Sequence, residues 1–149
     1  MNIRLATVED SEAIYQIEEA SFSVPWSLES ITSELADRER KLYVVVETEE
    51  GVEAYAGAWL VYDEGQITNI AVHPLYRRKG YGKLLTQYLM ELCFQRGMNE
   101  IFLEVRVSNY PALALYRQLG FTVKGIRKDY YSEPKEDAYI MSLIKEEEQ

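Results

Sequence analysis

The sequence predicts an α+β chain, an α/β mixed sheet with helices packed on it, and three observations carry that expectation. Apolar, β-branched runs of strand length recur at 3–6, 42–46, 52–62, 67–72, 101–107, 121–123 and 138–144. Segments with helical apolar spacing separate some of these runs and not others. Short turns join the runs at 42–72, which asks for antiparallel pairing, whereas a whole helix joins 67–72 to 101–107, which asks for parallel pairing.

In chain order, Ile3 to Ala6 is the first strand. Thr7-Val-Glu-Asp10 has the form of a capping box with Thr7 as N-cap, and Ala13, Ile14, Ile17 and Ala20 then share one helical face. Phe22-Ser-Val-Pro-Trp-Ser27 interrupts that helix, and Ser27 caps a second one carrying Leu28, Ile31 and Leu35. Phe22, Pro25 and Trp26 are large apolar residues for a short interhelical loop. They suit a recognition surface and suit a plug over the core equally well. Leu42 to Val46, Val52 to Tyr62 and Ile67 to Val72 form an antiparallel meander with turns at Glu50-Gly51 and Asp63-Glu64-Gly65, and Gly57 is a bulge position.

Pro74 cannot continue a ladder, so the third strand of the meander ends near His73. Leu84, Leu85, Tyr88, Leu89 and Leu92 mark the next helix, and Gly97 terminates it. Ile101 to Val107 alternates, with Ile101, Leu103, Val105 and Val107 on one face and Phe102, Glu104 and Arg106 on the other. The helix before it makes a right-handed crossover the expected connection. Asn109 caps a further helix that tolerates Pro111 in its first turn and closes at Gly120. Phe121 to Val123 and Ala138 to Ile144 are the last strands, parted by a polar loop from Arg127 to Asp137. The order is βααβββαβαββ.

At 149 residues the chain is expected to be one domain, 1–149, with an acidic, solvated tail at 146–149. A formal net charge of −9 argues against nucleic acid and against an anionic membrane as the main partner, and suits a basic substrate. No apolar run approaches the length of a membrane span, and Arg4 stands where a signal peptide needs apolar residues. The single cysteine, Cys93, permits no internal disulfide and fits a reducing, cytoplasmic setting. Among Leu89, Leu92 and Phe94 it reads as a packed hydrophobe rather than a nucleophile. His73 is the one histidine, so no metal site is expected.

Arg77-Arg78-Lys79-Gly80-Tyr81-Gly82 lies between a strand and a helix. A turn ending in glycines at a helix N-terminus makes an anion site, because the first backbone N–H groups are unpaired and the helix dipole turns its positive end to them. Glycine lets a phosphate approach without a Cβ in the way. The spacing is neither a Walker P-loop nor a dinucleotide fingerprint, which lacks its third glycine here. An ordinary basic turn is the plain alternative. The hexapeptide matches Arg/Gln-x-x-Gly-x-Gly/Ala after a strand. In this, and in Asn69-Ile-Ala-Val-His-Pro74 and Gly82-Lys-Leu-Leu85 around it, the segment resembles the GNAT superfamily of N-acetyltransferases.

That resemblance implies the GNAT fold, in the same element order, with the central mixed sheet splayed between the fourth and fifth strands. It implies acetyl-CoA as co-substrate and no metal. The backbone of Ile70, Ala71 and Val72 would pair with the pantetheine amides like an added strand. Arg77, Arg78, Lys79, Gly80, Tyr81, Gly82 and Lys83 would hold the pyrophosphate, chiefly through N–H groups. Fixed dipoles and positioning then carry the catalysis.

Transfer to an amine requires that the ammonium lose a proton and the thiolate gain one. Glu104 is the one carboxylate inside the 101–107 strand, and by spacing alone it is an exposed residue or one paired with Arg106. Tyr116 keeps helical spacing with Leu113 and Leu119, and by spacing alone it packs in the core. Leu103-Glu-Val-Arg-Val-Ser-Asn109 and Ala112-Leu-Ala-Leu-Tyr-Arg-Gln-Leu-Gly-Phe121, however, resemble the RimI-type N-terminal acetyltransferases, which act on the N-terminal alanine of a small-subunit ribosomal protein. The resemblance implies Glu104 as proton acceptor, Tyr116 as proton donor and Asn109 as a cofactor contact. Pro25-Trp26-Ser27 and Asp129-Tyr130-Tyr131 match as well, and imply a peptide groove walled by Trp26, Tyr130 and Tyr131. The latter motif usually begins with Asn, so Asp129 is a departure that leaves the local hydrogen bonding open.

Magnitudes rank the acceptors. An α-amine has a reference pKa of about 8 and lysine about 10.4, so deprotonation at pH 7 costs about 1.4 and about 4.6 kcal/mol respectively. One carboxylate, acting directly or through a water, suits the first better. The sequence also fits the same chemistry on a small amine such as a polyamine or aminoglycoside, or an acyl-CoA-binding module without turnover. Intact Glu104, Asn109 and Tyr116 argue against the last.

Overall fold

The computed structural model describes residues 1–146. Its elements are β1 (Asn2–Leu5), α1 (Ser11–Ser21), α2 (Leu28–Ala36), β2 (Lys41–Thr48), β3 (Gly51–Val61), β4 (Glu64–Val72), α3 (Tyr81–Gln95), β5 (Glu100–Arg106), α4 (Tyr110–Gln118), β6 (Thr122–Ser132) and β7 (Lys135–Ile144). Single 3-10 turns at Val8–Asp10 and Pro74–Tyr76 precede α1 and α3. The strands form one seven-stranded mixed sheet in the order β1-β2-β3-β4-β5-β7-β6. This is the α+β architecture and the element order that the sequence predicts. Glu146 is exposed. The remainder of the expected acidic tail, 147–149, lies outside the described residues.

Alternation along the strands sends apolar side chains to both faces of the sheet. Val44, Val46, Ala54, Ala56 and Ile101 meet Leu85 and Leu89 of α3, with Leu113 of α4 and Phe121 at the far side. Tyr43, Val45 and Tyr55 meet Ile14 and Ile17 of α1 and Ile31 and Leu35 of α2. Burying a side chain of this size from water contributes roughly 1.5–3 kcal/mol each, so these two layers hold the helices to the sheet. Ser27 caps α2 by accepting from the Ser30 N–H at 3.1 Å, as its spacing predicts. Leu28, counted with the apolar face, is exposed at the first turn. No helix among the described residues is long and apolar enough to cross a membrane.

Three local expectations need correction. The turn placed at Asp63-Glu64-Gly65 is instead a two-residue turn at Tyr62-Asp63, with Glu64 and Gly65 already paired to Val61 and Leu60. Gly65 is a strand residue because Cys93 packs on it: a Cβ there would stand 2.9 Å from the Cys93 Sγ. The bulge opposite Gly57 belongs to β4, where Thr68 is the extra residue between Ile67 and Asn69. Gly57 lacks a side chain because the Tyr43 ring fills that space, 2.2 Å from where its Cβ would be. The polar loop from Arg127 to Asp137 is largely a β-hairpin of β6 and β7, irregular between Arg127 and Tyr131. β6 is an edge strand exposed along most of its length, so it carries polar residues and reads as a loop.

The feature that positions the site is where β4 and β5 part. They pair in parallel only at Glu64–Glu100, Gly65–Ile101 and Gln66–Phe102. β4 continues to Val72 and β5 to Arg106 without further pairing to each other. The Thr68 bulge sits where they diverge, as bulges that end pairing do. Backbone groups of β4 beyond Gln66 therefore face a cleft.

Candidate active site

Beyond the cleft end of β4 lies the glycine-containing turn before α3. His73 ends β4 and caps the 3-10 turn by accepting from the Leu75 N–H through Nδ1 at 3.2 Å. The Arg77 Nε donates to the Val72 carbonyl at 3.2 Å, tying the turn back to the strand. Arg78 and Gly80 both have left-handed backbones, at φ +72° and +79°. A left-handed arginine is costly and recurs at functional turns. The first intrahelical bond of α3 runs from the Leu84 N–H to the Gly80 carbonyl at 3.2 Å, so Tyr81, Gly82 and Lys83 offer N–H groups with no partner inside the helix. A Cβ on Gly80 or Gly82 would meet nothing within 4 Å, which leaves open space before those donors. At Ile70, Ala71 and Val72, next to the turn, β4 is paired to β3 on one edge and has no strand partner among the described residues on the edge that faces β5. Donors, room and an open strand edge fit a pyrophosphate joined to an amide-bearing arm.

Behind the turn lies a carboxylate that the sequence reading missed. Glu53 is the extra residue of a bulge in β3, opposite Val46 and Glu47, and is 2% exposed. It accepts from Thr48 Oγ1 at 2.7 Å and from the Tyr81 hydroxyl at 3.0 Å, and Lys79 Nζ stands 3.7 Å away. Burial alone pushes this carboxyl up, but the donors and Lys79 outweigh it and hold it below the usual range. Lys79 also lies over the rings of Tyr76 and Tyr81. Glu53 thus steadies both the first residue of α3 and the turn's lysine. A charge inside the apolar run of β3 was the available signal.

The floor of the cleft is shared by two cavities. One, of about 330 Å³, is lined by Ile67, Ile70, Glu104, Asn109, Tyr116 and Tyr131, among others. The second, of about 670 Å³, is lined by Trp26, Trp59, Gln66, Glu104, Arg127 and Tyr130, among others. Glu104 borders both. The pairing expected from spacing, with Arg106, is not made. Glu104 stands 3.5 Å from Arg127 Nε across the hairpin, whereas Arg106 pairs with Glu136 at 3.2 Å and stacks on Tyr131. Register explains this, because β5 pairs with β7, and β6 lies beyond it.

Tyr116 keeps both of its roles open. It meets Phe121 edge-on at 6.0 Å between ring centroids and also lines the smaller cavity. Burial raises its hydroxyl above the usual range, so it stays protonated at neutral pH. Asn109 caps α4 by accepting from the Ala112 N–H at 3.2 Å and borders the same cavity.

Trp26 packs against the α1–α2 core, as a plug would, and also lines the larger cavity. Tyr130 and Tyr131 meet edge-on at 5.0 Å, and burial foremost pushes Tyr131 up to about 12. Asp129 has a left-handed backbone at φ +54°, a conformation that Asn and Asp tolerate best. Its backbone N–H donates to Asp137 Oδ1 at 2.8 Å, a bond that Asn would also make, and its own carboxylate stands 3.8 Å from Lys135 Nζ. A third cavity, of about 660 Å³, lies beside Phe22, Trp26, Asn69, Arg106 and Tyr131, with Glu18 in its lining. Glu18 was also missed, although an acidic residue next to Ile17 on the buried face of α1 is a signal that helical spacing exposes.

The comparisons agree with this geometry. A family model described as the Acetyltransferase (GNAT) family matches residues 11–121. A Bacillus subtilis (strain 168) protein, whose own assignment as a ribosomal protein bS18-alanine N-acetyltransferase is provisional, is 42% identical over 139 residues, covering 93% of this chain and 92% of its own. The ribosomal protein bS18-alanine N-acetyltransferase of Escherichia coli (strain K12) is 39% identical over 137 residues, 90% of each chain. The crystal structure of the ribosomal-protein-S18-alanine N-acetyltransferase from Escherichia coli superposes with a TM-score of 0.87 at 37% identity, covering 96% of this chain and 92% of that one. A Salmonella typhimurium acetyltransferase-fold protein solved with acetyl-CoA shares the fold at a TM-score of 0.86 and 22% identity. With sequence kinship along most of its length and the same overall fold, the chain belongs to the GNAT family and is an N-acetyltransferase of RimI-like type.

Proposed function

We propose that the protein acetylates the N-terminal α-amine of a protein, and that its target is the N-terminal alanine of ribosomal protein bS18, as the names of its relatives state for them. The observation that carries this reading is the meeting of two cavities at Glu104. The smaller one follows β4 as far as Ile70 and suits the thioester arm; the larger one, walled by Trp26 and Tyr130, suits the acceptor. Bound acetyl-CoA supplies an acyl thioester. Glu104, directly or through one water, takes the proton that the ammonium must lose before its nitrogen attacks the carbonyl. Tyr116, kept protonated by burial, gives a proton to the departing sulfur. The N–H groups at the start of α3 hold the pyrophosphate, and the free edge of β4 aligns the arm, so the reacting atoms meet with little entropic cost.

The acceptor is read as a basic peptide in an acidic protein. Glu64 and Glu104 line the larger cavity, and the chain carries a formal charge of −9. A cytoplasmic site of action belongs to the same proposal and rests on the ribosomal substrate of the relatives. The test is thiol release from acetyl-CoA with two short basic peptides, one led by a free alanine, the other blocked there but carrying an internal lysine. Turnover on the first alone is expected. Turnover on the blocked peptide, or on a free polyamine and neither peptide, would overturn the reading in favour of a lysine or small-amine acceptor.

A further inference from the structure

Glu18 is a buried carboxylate for which the proposed chemistry has no use. It lies on the sheet-facing side of α1, 2% exposed. Three donors from three separate elements converge on it. The Tyr55 hydroxyl of β3 and Asn69 Nδ2 of β4, at 3.4 Å, reach Oε1, and the Trp26 backbone N–H, at 3.2 Å, reaches Oε2. A carboxylate at that depth is costly unless its lone pairs are used, and here donors from both flanks and below use them.

Two of those donors belong to the site. Trp26 lines the larger and the third cavity, and its one described hydrogen bond to α1 is this backbone bond. Asn69 is, among the described residues, the one residue that lines all three cavities. Its amide is turned so that the NH2 group meets Glu18, because a carboxylate offers only acceptors. The other end of the amide, Oδ1, is buried and has no partner among the described residues. One carboxylate therefore fixes the height of the Trp26 wall and the plane of the amide at the junction of the cavities.

We propose that Glu18 is a positioning residue for the acyl acceptor: it preforms the acceptor pocket by holding the 22–27 connection and the Asn69 amide against β3. The inference rests on the reading of the larger cavity as the acceptor site. Glu18→Gln keeps the volume but replaces one acceptor oxygen by an NH2 group, so either one of the three donors faces another donor or the Tyr55 hydroxyl and the Asn69 amide turn round to accept. Wall and amide should then shift together, while the start of α3, packed on the opposite face of the sheet from α1, is untouched.

The experiment compares wild type, Glu18→Gln, Tyr55→Phe and Trp26→Ala in steady-state assays, varying the alanine-led peptide and acetyl-CoA separately. Glu18→Gln is expected to raise KM for the peptide about tenfold or more, while KM for acetyl-CoA and kcat at saturating peptide change about twofold or less. Acrylamide should quench Trp26 fluorescence more strongly in Glu18→Gln than in its parent, both read in a Trp59→Phe background, an effect that lost global stability alone would not give in the folded protein. If Glu18→Gln does not fold, Tyr55→Phe, which removes one donor and keeps the charge, is read in the same way. A folded variant with unchanged peptide KM and unchanged quenching overturns the proposal. A raised KM in Glu18→Gln beside an unchanged KM in Trp26→Ala supports action through Asn69 and removes Trp26 from the groove. Should the wild type turn over only a free amine, the functional reading falls, and the positioning role stands or falls on the KM for that amine.

Discussion

At the scale of single residues, environment separates two groups that spacing alone would leave as surface and core. Glu104 borders both cavities within reach of Arg127, and Tyr116 is a buried phenol held in its protonated form. Glu104→Gln should lower kcat by about 10²-fold or more, with acetyl-CoA affinity by calorimetry nearly unchanged. Turnover at the wild-type rate would remove Glu104 from the mechanism. Tyr116→Phe should lower kcat to a similar degree, and because the ring stays, the thermal midpoint should hold; full activity would leave Tyr116 as packing alone. Helical and strand periodicity gave the facing of these residues. It could not give the partners of Glu18 or Glu53, which lie 51 and 28 residues away in the chain at their most distant. A buried carboxylate is visible in sequence as a charge on an apolar face, but its donors are chosen by the fold.

At the scale of elements, the site depends on where pairing stops. The Thr68 bulge and the short parallel contact of β4 with β5 open the cleft, and the Tyr43 ring lies on Gly57 opposite that bulge. Gly57→Ala would drive a Cβ into a buried ring, so it should cost about 1–3 kcal/mol in a denaturant titration. No loss would mean that Tyr43 can step aside freely. The sequence marks Gly57 as irregular but not which strand carries the extra residue, since that turns on the volume of a side chain from a third strand. The β6–β7 hairpin escaped detection for a different reason. An exposed edge strand needs no apolar face, so composition alone makes it a loop. The start of α3 was legible because its glycines and its place after Pro74 are dictated by backbone geometry, and Gly80 does adopt the left-handed backbone that glycine allows.

At the scale of the whole molecule, the order of elements was legible because each carries its own period and its own punctuation, and the family resemblance supplied the splay that no local pattern encodes. Stability at low pH is also a property of the assembled sheet. Arg4 of β1 donates to both oxygens of Asp10, at 2.9 Å each, and to Glu47 of β2 at 3.2 Å. The Arg4 bonds foremost hold the Asp10 carboxyl below its ordinary value, against a smaller push upward from burial. A carboxyl lowered on folding stabilises the protein above its unfolded pKa of about 3.9 and loses that contribution as pH falls through the lower folded value. Thermal midpoints should therefore drop below about pH 4. Arg4→Met should cost about 2 kcal/mol at pH 7 and flatten that acid limb. An acid limb of unchanged steepness would place the sensitive carboxyls elsewhere.

The account stands on the identity of the accepting amine. The most direct measurement puts both candidates in one molecule: a basic peptide led by a free alanine and carrying an internal lysine, incubated with enzyme and acetyl-CoA, with the acetyl group located by fragment mass spectrometry. The account predicts acetyl on the α-amine alone. Acetyl on the lysine side chain would contradict it.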